Sequence, residues 1–176
     1  MRVLVLGGIR SGKSEWAETA IAASVGAECP VRYLATGATA DDDDWSARVA
    51  AHRARRPQHW STVETADVAR QLRSESPSPT LVDDVGGWLT GAMDRAGAWT
   101  GGSVCADIDD LLDVVAGYTA ELVLVSPEVG LTVVPETVTG RRFADELGTL
   151  NQRLAALCDR VVLVVAGQPV TVKGPS

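Results

Sequence analysis

Short apolar runs alternate with longer segments of helical character along the chain. The runs are continuously apolar, which is typical of strands buried on both faces. We predict strands at Val3–Leu6, Val31–Ala35, Thr80–Val82, Glu121–Val125, Arg160–Val165 and, as a short final strand, Val170–Val172. We predict helices at Lys13–Ser24, Asp43–Arg55, Thr65–Ser74, Gly86–Ala98, Asp107–Ala116 and Thr139–Cys158. The alternation predicts an α/β fold with a mostly parallel sheet covered on both faces.

The residues that could bind a ligand or take part in a reaction follow predicted strands. They lie in the segment Gly7–Ser14, at Thr36, at Asp83 and in the loop Ser126–Glu128. Because ligands of parallel sheets bind beyond the carboxyl ends of the strands, we expect these residues to converge on one edge.

Length and charge narrow the class of protein. The chain has 176 residues, which predicts a single domain over residues 1–176. Its net charge of −7 argues against non-specific nucleic-acid binding. No apolar run approaches the roughly 20 residues that a membrane-spanning helix needs. The three scattered cysteines form neither a metal motif nor a disulfide framework, so we expect a cytoplasmic protein without a membrane partner.

The first loop matches the phosphate-binding pattern G-x-x-x-x-G-K-[ST]. A predicted strand precedes it and a predicted helix follows, as the P-loop requires. Backbone amides would surround a phosphate, the lysine would reach the β- and γ-phosphates, and the serine hydroxyl would bind Mg²⁺. The predicted nucleotide-binding residues here are Gly7, Gly8, Ile9, Arg10, Ser11, Gly12, Lys13 and Ser14, with Lys13 catalytic and Ser14 a metal ligand. The chain otherwise uses arginine almost everywhere, with Lys173 as the second lysine. A lysine at position 13 therefore fits a site that needs a compact, flexible point charge.

A second metal ligand is expected at the end of a neighbouring strand. Asp83 closes the strand Thr80–Val82 and is our predicted ligand. Asp84 competes with it, since adjacent side chains of a strand point to opposite faces. Either aspartate could instead cap the helix that follows.

Two histidines lie close together in the sequence. On a helix, Arg48 and Arg56 would lie one turn on either side of His52. Nearby cations favour a neutral, nucleophilic imidazole and attract phosphate. By its residues alone, however, His52 is more readily interpreted as a surface or packing histidine, because a lone histidine is a weak signal. His59 precedes Trp60, and we expect it to be a packed loop residue.

The order of these motifs resembles the bifunctional adenosylcobinamide kinase/adenosylcobinamide-phosphate guanylyltransferase family of cobalamin assembly. The resemblance rests on the P-loop, on the segment from Arg48 through His52 to Arg56-Pro57, and on Gly148 followed by Asn151-Gln152. It extends over nearly the whole chain.

The resemblance implies two reactions and a fold. A nucleoside triphosphate, ATP or GTP, would phosphorylate adenosylcobinamide, and GTP would then transfer GMP to the phosphate product through a GMP-histidine intermediate at His52. The implied fold is the three-layer P-loop (RecA-like) α/β fold, acting with Mg²⁺ as a homo-oligomer, with a trimer favoured. The further nucleotide-binding residues that it implies are Thr36, Gly37, Ala38, Arg53, Ala54, Arg55, Arg56, Glu64 and Asp83.

Two other functions are compatible with the P-loop alone. The chain could be a small-metabolite kinase without the guanylyltransferase step, or a GTP-binding module without catalysis. In both cases His52 would be structural.

Overall fold

A computed structural model describes residues 1–36, 56–73 and 76–174 of the chain. The strands are β1 (Arg2–Gly7), β2 (Arg32–Ala35), β3 (Ser61–Glu64), β4 (Thr80–Asp83), β5 (Leu122–Pro127), β6 (Arg160–Val165) and β7 (Gln168–Lys173). The described helices are α1 (Lys13–Val25), α2 (Val68–Leu72), α3 (Val85–Arg95), α4 (Cys105–Gly117) and α5 (Val138–Leu157).

All seven strands form one sheet in the order β3-β2-β4-β5-β1-β6-β7. Every neighbouring pair is parallel except β6 and β7, which form an antiparallel hairpin at one edge. The strand β1 lies between β5 and β6, with Val3 opposite Val123 and Leu4 opposite Val161. The P-loop therefore emerges from the interior of the sheet.

The sheet buries both of its faces. On one face, Val3 and Val5 pack with Ala17 and Ile21 of α1. On the other, Leu4 joins a larger core that contains the apolar faces of α2 to α5. Successive residues of a strand point to opposite faces, so a strand between two helical layers must be apolar throughout. The three-layer arrangement predicted from the sequence is confirmed.

The predicted elements that lie within the described residues agree with the structure to within a few residues, with two exceptions. The strand β3 was not predicted, because Ser61, Thr62 and Glu64 are polar, exposed residues at the sheet edge. The helix predicted over Thr65–Ser74 is shorter in the structure, since Asp67 caps α2 by accepting a hydrogen bond from Arg70 N at 3.0 Å. The helix predicted over Asp43–Arg55 lies outside the described residues.

None of the helices in the described ranges combines the length and apolar character that crossing a bilayer requires.

Candidate nucleotide-binding site

The loop between β1 and α1 has the backbone that the glycine pattern predicts. Gly12 adopts a left-handed conformation with φ of 89°, directly before the first residue of α1. A side chain is strained at that angle, so glycine is required. At Gly7 a Cβ atom would lie 2.8 Å from the carbonyl oxygen of Val164, so the close approach of β6 also requires glycine.

The polar groups of the loop are arranged to receive an anion. Lys13 Nζ donates to the carbonyl oxygen of Gly8 at 3.2 Å, which holds its charge over the loop. Ser11 Oγ is buried and has no hydrogen-bond partner among the described residues. The first turn of α1, with its free N–H groups, begins at the same point, so the loop combines an orphaned hydroxyl, a cation and a helix N-terminus.

The turn between β6 and β7 supports this loop from behind. Gly167 N donates to Ser11 O at 2.7 Å. A Cβ atom at Gly12 would lie 3.1 Å from Gly167 Cα, so the two glycines are in close contact. This contact was not predicted, because nothing local in the sequence links two turns so far apart in the chain.

The two aspartates at the end of β4 have different surroundings. Asp84 caps α3 through a hydrogen bond from Gly87 N to its Oδ1 atom at 2.5 Å. Burial raises the pKa of Asp84, and the hydrogen bond from Gly87 and the charge of Lys13 both oppose that rise. Thr36 joins the pair, since its backbone N donates to Asp83 O at 3.0 Å and its hydroxyl accepts from Asp84 N at 2.8 Å. Thr36, predicted from the resemblance, therefore lies against Asp83 and Asp84, where β2 and β4 end side by side.

Asp83 belongs to a polar cluster around the buried Tyr33. Tyr33 donates to Asp83 Oδ2 at 2.6 Å, and burial, followed by the charge of Asp83, raises the pKa of that phenol far above its usual range. The Arg56 guanidinium lies 3.6 Å from the centre of the Tyr33 ring, and its Nε lies 3.9 Å from Glu18 Oε1. Arg56 also donates to Thr62 Oγ1 at 2.8 Å, so its side chain is held beneath the site. Tyr33 and Glu18 were not predicted as site residues; the only available signal was a hydroxyl-bearing side chain within a predicted buried strand.

The remaining predicted residues are scattered or lie outside the described ranges. Glu64 is exposed at the end of the edge strand β3. His59 is also exposed, so its prediction as a packed loop residue is wrong; the neighbouring Trp60 fills the core instead. The predicted residues that lie outside the described ranges are Gly37, Ala38, His52, Arg53, Ala54 and Arg55.

The end of β5 completes the edge of the site. Ser126 Oγ is 2.6 Å from Asn151 Oδ1, to which it donates, and Asn151 Nδ2 donates to Pro127 O at 3.0 Å. Glu128 N donates to Gly7 O at 3.1 Å. Ser126 and Asn151 are both buried, so α5 fixes the start of the loop that borders the P-loop.

The donor groups at this edge fit a magnesium ion. Asp83 uses only Oδ2 for Tyr33, and Oδ1 has no hydrogen-bond partner within the described part of the chain. Hydroxyl and carboxylate oxygens are the ligands that Mg²⁺ prefers, and it commonly takes only one or two from the protein, completing its shell with phosphate and water. The described residues contain no cluster of three or more His, Cys, Asp or Glu side chains that could hold a metal on their own.

The sheet order and the P-loop at the end of a central strand define a P-loop nucleotide-binding protein of the RecA-like class. Solved structures agree on the fold. The flagellar accessory protein FlaH from Methanocaldococcus jannaschii matches with a TM-score of 0.54 at 9% identity, over 98% of this chain and 78% of that one. A type III secretion system ATPase matches with a TM-score of 0.56 at 16% identity, over 92% of this chain and 51% of that one.

Sequence comparison identifies the family. The model for "Cobinamide kinase / cobinamide phosphate guanyltransferase" matches residues 3–172, and the chain belongs to this family. The bifunctional adenosylcobalamin biosynthesis protein CobP of Pseudomonas aeruginosa is 42% identical over 99% of this chain and 98% of its own length. The corresponding protein CobU of Escherichia coli is 36% identical over 98% of this chain and 100% of its own length.

Proposed function

We propose that this protein phosphorylates adenosylcobinamide with ATP or GTP and then transfers GMP from GTP to adenosylcobinamide phosphate. The observation that supports it most directly is a complete P-loop within a chain that matches the two-activity family over residues 3–172. The chain would act as one P-loop domain over residues 1–176, in the cytoplasm, as a homo-oligomer with a trimer favoured. Neither nucleic acid nor a membrane is a partner in this proposal.

In this proposal the P-loop and the ends of the neighbouring strands handle the triphosphate. Backbone amides from Gly8 to Lys13 and the Lys13 ammonium take up the negative charge that develops on the phosphoryl group and the leaving oxygens. Ser14 and Asp83 would hold Mg²⁺, which when bound neutralises the phosphate oxygens and orients them. Thr36 and Arg56 stabilise the strand ends around Asp83.

The guanylyl transfer needs a nucleophile, and His52 is the residue that we propose. Its neutral imidazole would attack the α-phosphorus of GTP, forming an N–P bond and releasing pyrophosphate. A phosphate oxygen of the acceptor would then displace the imidazole, giving adenosylcobinamide-GDP. The residues Gly37, Ala38, Arg53, Ala54, Arg55 and Glu64 are proposed to contact the nucleotide.

The decisive experiment is covalent labelling with α-labelled GTP and Mg²⁺. We expect the wild type to retain an acid-labile, base-stable label that transfers to cobinamide phosphate on addition. His52→Ala should abolish the label. His59→Ala is the matched control, because His59 is exposed and is assigned no part in the chemistry, and it should label as the wild type does.

Other outcomes would assign other functions. Phosphorylation of cobinamide without any labelled protein, in the wild type and in His52→Ala alike, would indicate a kinase alone. GTP binding with neither phosphorylation nor label would indicate a nucleotide-binding module. Omitting Mg²⁺ should abolish turnover in the wild type, and persistent turnover in chelator would contradict the metal assignment of Ser14 and Asp83.

A further inference from the structure

A cavity of about 450 Å³ lies between α5 and the loop that follows β5. Its walls include Leu6, the last residue before the P-loop, and Val161 of β6. The loop contributes Glu128 and Val134, so the cavity runs from the edge of the P-loop towards the surface. A volume of this size falls within the range of small-molecule sites.

Small residues of α5 create the space. Ala144, Gly148 and Ala155 recur at helical spacing and line the cavity. A Cβ atom at Gly148 would come no closer than 4.0 Å to Val129, which is an ordinary contact. Packing therefore does not require this glycine, although glycine within a helix is less stable than alanine by roughly 1 kcal/mol. Space for a ligand explains why a larger residue is not used there.

Glu128 stands where the cavity meets the P-loop. Its backbone N donates to Gly7 O at 3.1 Å, and its Oε1 accepts from Gly130 N at 2.6 Å. In the described part of the chain, Oε2 has no hydrogen-bond partner. The bonds that Asn151 makes to Ser126 and Pro127 fix the backbone directly before it. The carboxylate is thus held in place with one oxygen available to a ligand.

The outer part of the cavity suits an amphipathic molecule. Asp145 and Gln152 line it and are exposed, so they can bind amide groups. The loop beside them presents Leu131 and Val133, which are 76% and 92% exposed. Polar groups next to an exposed apolar strip match a macrocycle that has a flat apolar face and amides around its rim.

We propose that this cavity receives the alcohol arm of the cobinamide acceptor and that Glu128 accepts the proton of its hydroxyl. This inference rests on the proposed kinase function. The hydroxyl oxygen forms a bond to the γ-phosphorus while the bond from that phosphorus to the β,γ-bridging oxygen breaks, releasing the nucleoside diphosphate. The hydroxyl proton passes to Glu128 Oε2 and from there to water. The macrocycle itself, too large for the cavity, lies over Leu131 and Val133.

Two variants test the site, each with a matched control. Gly148→Leu fills the cavity, and Thr149→Leu adds the same side chain to the exposed face of the same turn. Glu128→Gln removes the base without changing its size, and Glu136→Gln is the control from the exposed part of the same loop. Phosphate transfer to cobinamide and GMP labelling of the enzyme are measured for all four, with circular dichroism to confirm folding.

We expect Gly148→Leu to raise KM for cobinamide at least tenfold while KM for the nucleotide changes less than twofold. Glu128→Gln should lower kcat of phosphorylation about 100-fold while KM for cobinamide changes little. Both should label with GMP as the wild type does. If Gly148→Leu does not fold, the kinetics of Glu128→Gln alone test the proposed acceptor site.

Several results would overturn the assignment. The assignment would be overturned if the two variants behaved as their controls do. A loss of both phosphorylation and labelling would also overturn it, because that result would indicate a damaged P-loop. A change in oligomeric state with unchanged kinetics would show that the cavity is an interface between copies. If the wild type does not phosphorylate cobinamide, the proposed function fails, and equilibrium dialysis of cobinamide against wild type and Gly148→Leu then tests the cavity separately.

Discussion

Asp84 has two opposing effects on stability, since capping a helix stabilises the fold whereas burying a charged carboxylate destabilises it. It caps α3, and its carboxyl is largely removed from water close to the Lys13 charge. Burial disfavours the ionised form, so the pKa in the folded protein lies above the ordinary value of 3.8. The contribution of Asp84 to stability is therefore complete below pH 3.8 and declines as the pH rises through the raised pKa.

Asp84→Asn should accordingly stabilise the protein at pH 7, by on the order of 1 kcal/mol. Asparagine retains a side-chain oxygen for Gly87 N but carries no charge. Thermal unfolding at pH 7 and at pH 3 measures the effect, and the gain should shrink at the lower pH. Asp67→Asn, at the exposed cap of α2, is the control and should change little. A loss of stability at pH 7 would contradict the argument.

Tyr33 is neutral wherever the protein is folded at ordinary pH, and its hydroxyl donates to Asp83. Because its pKa is raised above the unfolded value of 10.0, this contribution is present below pH 10 and is lost at higher pH. Tyr33→Phe should cost about 2 kcal/mol at pH 7, the typical loss for a hydrogen bond to a charged group. Urea unfolding from pH 7 to pH 11 should show the two proteins converging. A constant difference across that range would show that the lost contact is not the hydrogen bond.

At the scale of elements, the C-terminal end of α5 is held by a residue from another element. Lys173 of β7 donates to the carbonyl oxygens of Ala155, Ala156 and Cys158 at 2.8, 3.1 and 2.7 Å. These are carbonyls that the helix itself leaves without partners. A cation at this end also interacts favourably with the helix dipole. The contact joins the exposed strand β7 to the helix that borders the proposed acceptor cavity.

Lys173→Gln should therefore destabilise the protein by about 1 kcal/mol. Arg153→Gln is a suitable comparison, since its ion pair with Asp109 at 2.6 Å is exposed and such pairs contribute less than about 1 kcal/mol. Denaturant titration of both variants measures the difference. Equal losses would indicate that Lys173 acts as an ordinary surface charge.

The elements were predictable to the extent that their burial shows in the sequence. Strand β1 is buried on both faces and is almost entirely apolar, whereas helix α5 is buried on one face and has one apolar stripe. The edge strand β3 buries little and has no such pattern, so it was missed. Within the site, the loop conformation followed from Gly7 and Gly12. The contacts of Tyr33 with Asp83 and of Gly167 with Ser11 join distant segments, which no local pattern encodes.

At the scale of the molecule, the cysteines report on the integrity of the core. Cys158 is buried between α5 and β6, and burial raises the pKa of its thiol to about 12. Cys105 is exposed and Cys29 is partly so. Because the thiolate is the reactive form, the native protein should react rapidly with a thiol reagent at pH 8 at these two positions only.

Unfolding in denaturant should make the third cysteine reactive. Cys158→Ala is the control, and it should leave the native count unchanged while lowering the unfolded count by one. Rapid reaction of all three cysteines in the native protein would show that this part of the core opens readily.

The contact between Gly167 and Ser11 also determines when the nucleotide cradle can form during translation. The ribosome makes the P-loop motif before its neighbours β5 and β6 and before the turn that supports it. Until the β6–β7 hairpin has been made, a nascent chain therefore carries the motif without the means to hold a phosphate. Products that terminate before the β6–β7 hairpin would not retain nucleotide, so nucleotide retention distinguishes finished molecules from prematurely released ones.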